Sequence, residues 1–136
     1  MVNFIIASHG KLAEGFLSAL EILMGKREDI DVVSAYLDEE PLEAKTKSIF
    51  SKYAPEDTVI VFTDMYGGSV NRHFAQMALE KDNVHVISGV NLGLMLEVIM
   101  QMEEGFDKAQ LLEIIDRSRS LLCYVNDKLL EDDDDE

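Results

Sequence analysis

Residues 57 to 63 read DTVIVFT and run directly into Asp64 and the turn MYGGS, residues 65 to 69. Val59, Ile60, Val61 and Phe62 are consecutive and apolar, three of them β-branched. A strand that exposes one face alternates apolar with polar residues, whereas a strand covered on both faces does not. The stretch therefore predicts a central strand of a parallel sheet, ending at Asp64.

Working outward, residues 2 to 7 (VNFIIA) read as a second buried strand. The segment after it spaces Leu12, Phe16, Leu20 and Leu23 by four, four and three, with Leu17 and Met24 beside them. That is the stripe of a helix lying on a sheet, and Gly25 is a suitable stop. A strand over about Asp31 to Leu37 leads to a helix that opens near Pro41 and runs to about Tyr53. Beyond the MYGGS turn, Val70, Phe74, Met77 and Ala78 mark another helix. A short strand, Val84 to Ser88, precedes a helix from about Leu92 to Met102, and residues 107 to 118 form one more. Leu121 to Val125 is ambiguous between an extension of that helix and a last strand. Strands alternating with helices predict an α/β fold of three layers: a mostly parallel sheet of order 2-1-3-4 with helices on both faces.

The 136 residues fit one domain, residues 1 to 130, followed by an acidic tail, residues 131 to 136, expected to be disordered. Net charge is −15, of which the tail EDDDDE carries six, leaving −9 on the domain. Such a surface repels phosphate backbones, so nucleic acid and anionic membranes are poor candidates as partners and a basic protein is favoured; no nucleic-acid partner is expected. The N-terminal apolar run is too short for a secretory signal, and the most apolar later segment is interrupted by Glu97. The single cysteine, Cys123, has no intrachain partner, and no Cys/His cluster has metal-ligand spacing. A soluble cytoplasmic protein without a metal or cofactor, and without membrane insertion, is expected.

In open parallel sheets ligands bind beyond the carboxyl ends of the strands. There the first strand carries Ser8, His9 and Gly10, the third Asp64 and Gly67-Gly68-Ser69, and the fourth Gly89, Val90 and Asn91. With strands one and three adjacent, Asp64 can accept a hydrogen bond from one nitrogen of His9 and leave the other nitrogen's lone pair outward. The Gly67-Gly68-Ser69 turn opens a helix, so its N–H groups suit an anion. Ser69 can cap that helix, donate to the anion, or do both. Together these residues suggest phosphoryl transfer to histidine. Each has an ordinary alternative: His9 can cap the first helix, Asp64 and Asn91 can be turn formers, and Arg72 and His73 can belong to a solvated face. Ser8, Gly10 and Asn91 are secondary candidates for lining the site. The methionines at 77, 95, 100 and 102 read as core.

FIIASHGKLAEGFLSALEILMG, VFTDMYGGSVN and VISGVNLGLMLEVIM, in that order, resemble the enzyme IIA component of the mannose family of bacterial sugar phosphotransferase systems. The resemblance spans about residues 2 to 102. It implies that His9 accepts a phosphoryl group from the phosphocarrier HPr and passes it to a IIB component. It also implies that Asp64 orients the His9 ring, that Ser69 and its turn contact the phosphate, and that the protein is a free-standing IIA subunit. A homodimer exchanging a C-terminal strand is implied as well, with Leu121 to Val125 as the candidate strand. Where members often carry Thr before the His, a hydroxyl residue after the Asp and Pro after the Ser, this chain has Ser8, Met65 and Val70. Three other readings are weighed: the phosphotransfer subunit of a dihydroxyacetone kinase, a non-catalytic module for a phosphate-bearing ligand, and a hydrolase using Ser69, His9 and Asp64.

Overall fold

The computed structural model describes residues 1 to 134 in two compact units, Met1–Phe106 and a second that starts at Asp107. The first unit holds β1 (Val2–His9), α1 (Leu12–Met24), β2 (Ile30–Ala35), α2 (Leu42–Phe50), β3 (Thr58–Thr63), α3 (Ser69–Glu80), β4 (Val84–Ser88) and α4 (Leu92–Met102). Its sheet is parallel throughout, as the alternation of strands and helices predicts, and has the expected order β2-β1-β3-β4.

β1 and β3, the two strands with neighbours on both sides, are the two continuous apolar runs of the sequence. Their alternate residues supply separate cores. Ile5, Ala7, Val59 and Val61 pack with Val70 and Phe74 of α3, and Leu42 and Ile49 of α2 close over them. On the opposite face lie the fully buried Phe4, Ile6, Ile60 and Phe62, with Phe4 and Phe62 stacked at 6.2 Å. On that side α1 packs on β1 and β2, and α4 packs on α1.

The phase of α1 differs from the expected stripe. Ala13 and Leu20 are buried and Phe16 and Leu17 half-buried, while Leu12 and Leu23 are exposed. The buried Ser8 hydroxyl accepts the Ala13 N–H at 2.7 Å, which rotates Ala13 rather than Leu12 toward the sheet. Met95 and Met102 are core residues as read, but Met100 is exposed. His73 is half-buried rather than solvated. Its Nε2 lies 2.9 Å from Thr46 Oγ1, whose proton goes to the Leu42 carbonyl, so Nε2–H is the donor.

The second unit holds α5 (Lys108–Arg119) and α6 (Val125–Asp134). Leu121 to Val125, the candidate exchanged strand, is a turn that leads into α6, and the sheet has four strands among the described residues. A strand needs a neighbouring edge for its N–H groups, whereas the Leu121 N–H closes the end of α5 on the Ser118 carbonyl, and the Tyr124 carbonyl accepts from Asp127 and Lys128 in the first turn of α6. Of the acidic run, residues 131 to 134 belong to α6, and residues 135 and 136 lie outside the described residues.

Candidate functional site

The register pairs Ala7 with Thr63 and His9 with Ala35, so His9 leaves β1 between the ends of β3 and β2. Asp64 is the next residue beyond β3. One oxygen, Oδ2, accepts both the His9 backbone N–H at 2.8 Å and the His9 ring Nδ1 at 2.7 Å. The other, Oδ1, accepts the Met65 N–H at 3.0 Å. Burial pushes the Asp64 carboxyl up. The two bonds from His9, the charge of its ring and the Met65 N–H outweigh that, and the net pKa lies below the usual carboxylate value. Asp64 is therefore an anion at neutral pH and can only accept, which places the proton of a neutral His9 ring on Nδ1. Nε2 is left with its lone pair.

The turn after Asp64 brings backbone up to the ring. A Cβ on Gly68 would stand 2.9 Å from Met65 Cγ and 3.6 Å from His9 Cε1, so a side chain there would collide with the methionine beside the imidazole. α3 begins at Ser69 with no side-chain cap, and the N-terminal end of a helix carries a partial positive charge. Thr63 locks this geometry by donating to Asn71 Oδ1 at 3.3 Å inside the core. The Ser69 hydroxyl, free of capping, lies 3.5 Å from His9 Nε2 and 2.7 Å from the hydroxyl of Tyr36.

Tyr36 carried no sequence signal, since a tyrosine just past a strand is commonplace. It has φ +68°, the left-handed region, and is the only non-glycine residue with positive φ among those described. For a bulky residue this costs about 1 kcal/mol. Its ring centroid is 5.3 Å from that of His9. The loop that carries it is braced by Lys45, whose Nζ donates to the Ser34 carbonyl at 3.0 Å and to Asp38 at 3.2 Å.

The secondary candidates divide. Gly10 follows His9 with φ +59° and donates its N–H to the Ala35 carbonyl at 2.8 Å; that backbone conformation, with open space around it, accounts for the glycine. Ser8 is buried and its hydroxyl is committed to Ala13. Asn91 caps α4, its side chain accepting the Leu94 N–H at 2.9 Å. His85 of β4 stacks on Phe106 at 3.7 Å.

A family model described as the PTS system fructose IIA component matches residues 3–115. The chain belongs to this family. Among characterised relatives, the mannose-specific EIIAB component of Escherichia coli K12 is 27% identical over 112 residues, covering 79% of this chain and 34% of that protein. The chain thus spans about a third of the length of that relative. The sorbose-specific EIIA component of Lacticaseibacillus casei is 26% identical over 99 residues, 71% of either chain. Among solved structures, a PTS IIA protein associated with the fucose utilization operon of Streptococcus pneumoniae superposes with a TM-score of 0.79 at 25% identity, covering 94% of this chain and 96% of that one. A sugar phosphotransferase system protein of Klebsiella pneumoniae gives 0.85 at 29% identity, with 94% and 93% covered. As a IIA component the chain falls in a family of phosphotransferase carriers. Among the described residues no helix is long and apolar enough to cross a membrane.

Because the folded pKa of Asp64 is depressed, the unfolded chain binds more protons than the folded one as pH falls below about 4. The contribution of Asp64 is complete above that pH and lost as pH drops through the folded value. Asp64→Asn is expected to cost on the order of 1 kcal/mol at pH 7. Thermal melts of both proteins from pH 7 to pH 2.5 check this: the gap in Tm closes below about pH 4.

Proposed function

We propose that this IIA component is a phosphohistidine carrier that takes a phosphoryl group from HPr on His9 and delivers it to a IIB component during sugar uptake and phosphorylation. The carrying observation is the double acceptance by Asp64 Oδ2, which holds Nδ1 as the donor and leaves Nε2 nucleophilic. The Nε2 lone pair attacks the phosphorus of the donor phosphohistidine. As the new N–P bond forms, the old one breaks and its electron pair returns to the donor ring. His9 becomes a phosphoimidazolium whose positive charge faces the Asp64 carboxylate, and the α3 N-terminus and Ser69 hydroxyl face the charge on the phosphoryl oxygens. Delivery to IIB is the same step in reverse with a different acceptor. The donor and acceptor are proteins, which fits the exposed His9, and the proposal includes a cytoplasmic location.

One further observation bears on a different chemistry. Ser69 Oγ, His9 and Asp64 stand in the order of a serine hydrolase triad. Against it, the 3.5 Å separation is long for an activated serine. The two chemistries diverge on mutation. With labelled phosphoenolpyruvate, enzyme I and HPr, wild type is expected to carry label that is abolished in His9→Ala and retained at a lower level in Ser69→Ala. Label that persists in His9→Ala overturns the reading.

The proposal includes a homodimer formed through the second unit, where Leu121, Leu122, Tyr124, Val125, Leu129 and Leu130 are all exposed. Six large apolar side chains exposed within ten residues favour association over exposure to water. Sedimentation velocity at micromolar concentration is expected to give the dimer mass; a single species of monomer mass contradicts it.

A further inference from the structure

Tyr36 is 60% exposed, so its side chain contributes little to the core, and its backbone sits in the left-handed region that a tyrosine disfavours. Nothing in folding asks for a tyrosine there. Strain of this kind persists where a side chain must be aimed, and here it aims the phenol across the site at Ser69 and the ring at His9. Lys45 holds the backbone on either side of it through Ser34 and Asp38.

Resting on the phosphohistidine reading, we propose that Tyr36 is a phosphoryl-binding residue: its O–H, paired with that of Ser69, grips the phosphoryl group carried on His9 Nε2. In the free protein Nε2 is an acceptor, so the Ser69 O–H turns toward it and Ser69 Oγ accepts from Tyr36. Once Nε2 is bonded to phosphorus its lone pair is gone. The phosphoryl oxygens are acceptors only, and both hydroxyls rotate to donate to them. No proton changes owner and no bond forms at Tyr36. On the facing loop Met65 offers a thioether, which cannot donate, so of these two loop side chains only Tyr36 supplies an O–H.

The test compares wild type with Tyr36→Phe, which keeps the ring and deletes the hydroxyl, and Tyr36→Gly, which relieves the backbone. Each is phosphorylated with potassium phosphoramidate, and the decay of phosphohistidine is followed by 31P NMR at several pH values. Loss of a hydrogen bond to a charged group corresponds to roughly a tenfold change. Tyr36→Phe is expected to shift the 31P resonance and to lose its phosphoryl group about tenfold faster than wild type, with an unchanged Tm. Tyr36→Gly is expected to lose it as fast while melting no lower than wild type. A labelled wild type whose 31P shift and decay are matched by Tyr36→Phe overturns the role of Tyr36 and leaves the carrier reading standing. A wild type that takes no phosphoryl group on His9 overturns both.

Discussion

A single carboxylate oxygen joins the two central strands where they leave the sheet. Asp64 Oδ2 accepts from the backbone of His9 and from its ring, so one residue fixes both where the imidazole starts and which way it turns. A bond to the ring alone would leave it free to pivot with the loop. A bond to the backbone alone would leave the tautomer undecided. Everything else at the site is arranged around a ring held in this way.

The fold supports that bond from beneath. Ala7 and Thr63 are paired in the sheet, and Thr63 reaches Asn71 inside α3, so the loop between β3 and α3 is anchored at both ends. Gly68 then permits backbone to pass beside His9 Cε1, and α3 presents its N-terminus to the same side. Ser8, one residue before the histidine, holds the start of α1. The site is thus built from loops, but each loop is pinned to a buried strand or helix within a residue or two.

How much of this was legible depended on whether local sequence or tertiary contact decided the outcome. The runs Phe4 to Ala7 and Val59 to Phe62 are apolar without alternation because both faces of β1 and β3 are covered, and that signature survives in the sequence alone. The order 2-1-3-4 is the common one for such a sheet; the structure has it, and His9 and Asp64 meet. The phase of α1 did not follow: the spacing put Leu12 and Leu23 inward, but the Ser8 hydroxyl sets the first turn and leaves them exposed. Tyr36 was invisible because the sign of φ at one residue is set by the loop that Lys45 braces, not by residue type. Leu121 to Val125 was ambiguous because an apolar run of five fits either a strand or a helix approach, and the chain turns there and enters α6. Asn91, a turn former by composition, proved to be a helix cap, a role that the same short acceptor side chain serves.

The central claim is that Asp64 keeps the proton on Nδ1 and so makes Nε2 the nucleophile. 15N NMR of histidine-labelled protein, before and after phosphorylation, reads both nitrogens directly. The account predicts a protonated Nδ1 and an unprotonated Nε2 in the neutral ring, followed by phosphorus coupling at Nε2. A proton on Nε2 in the free protein, or phosphorus bonded to Nδ1, would contradict it.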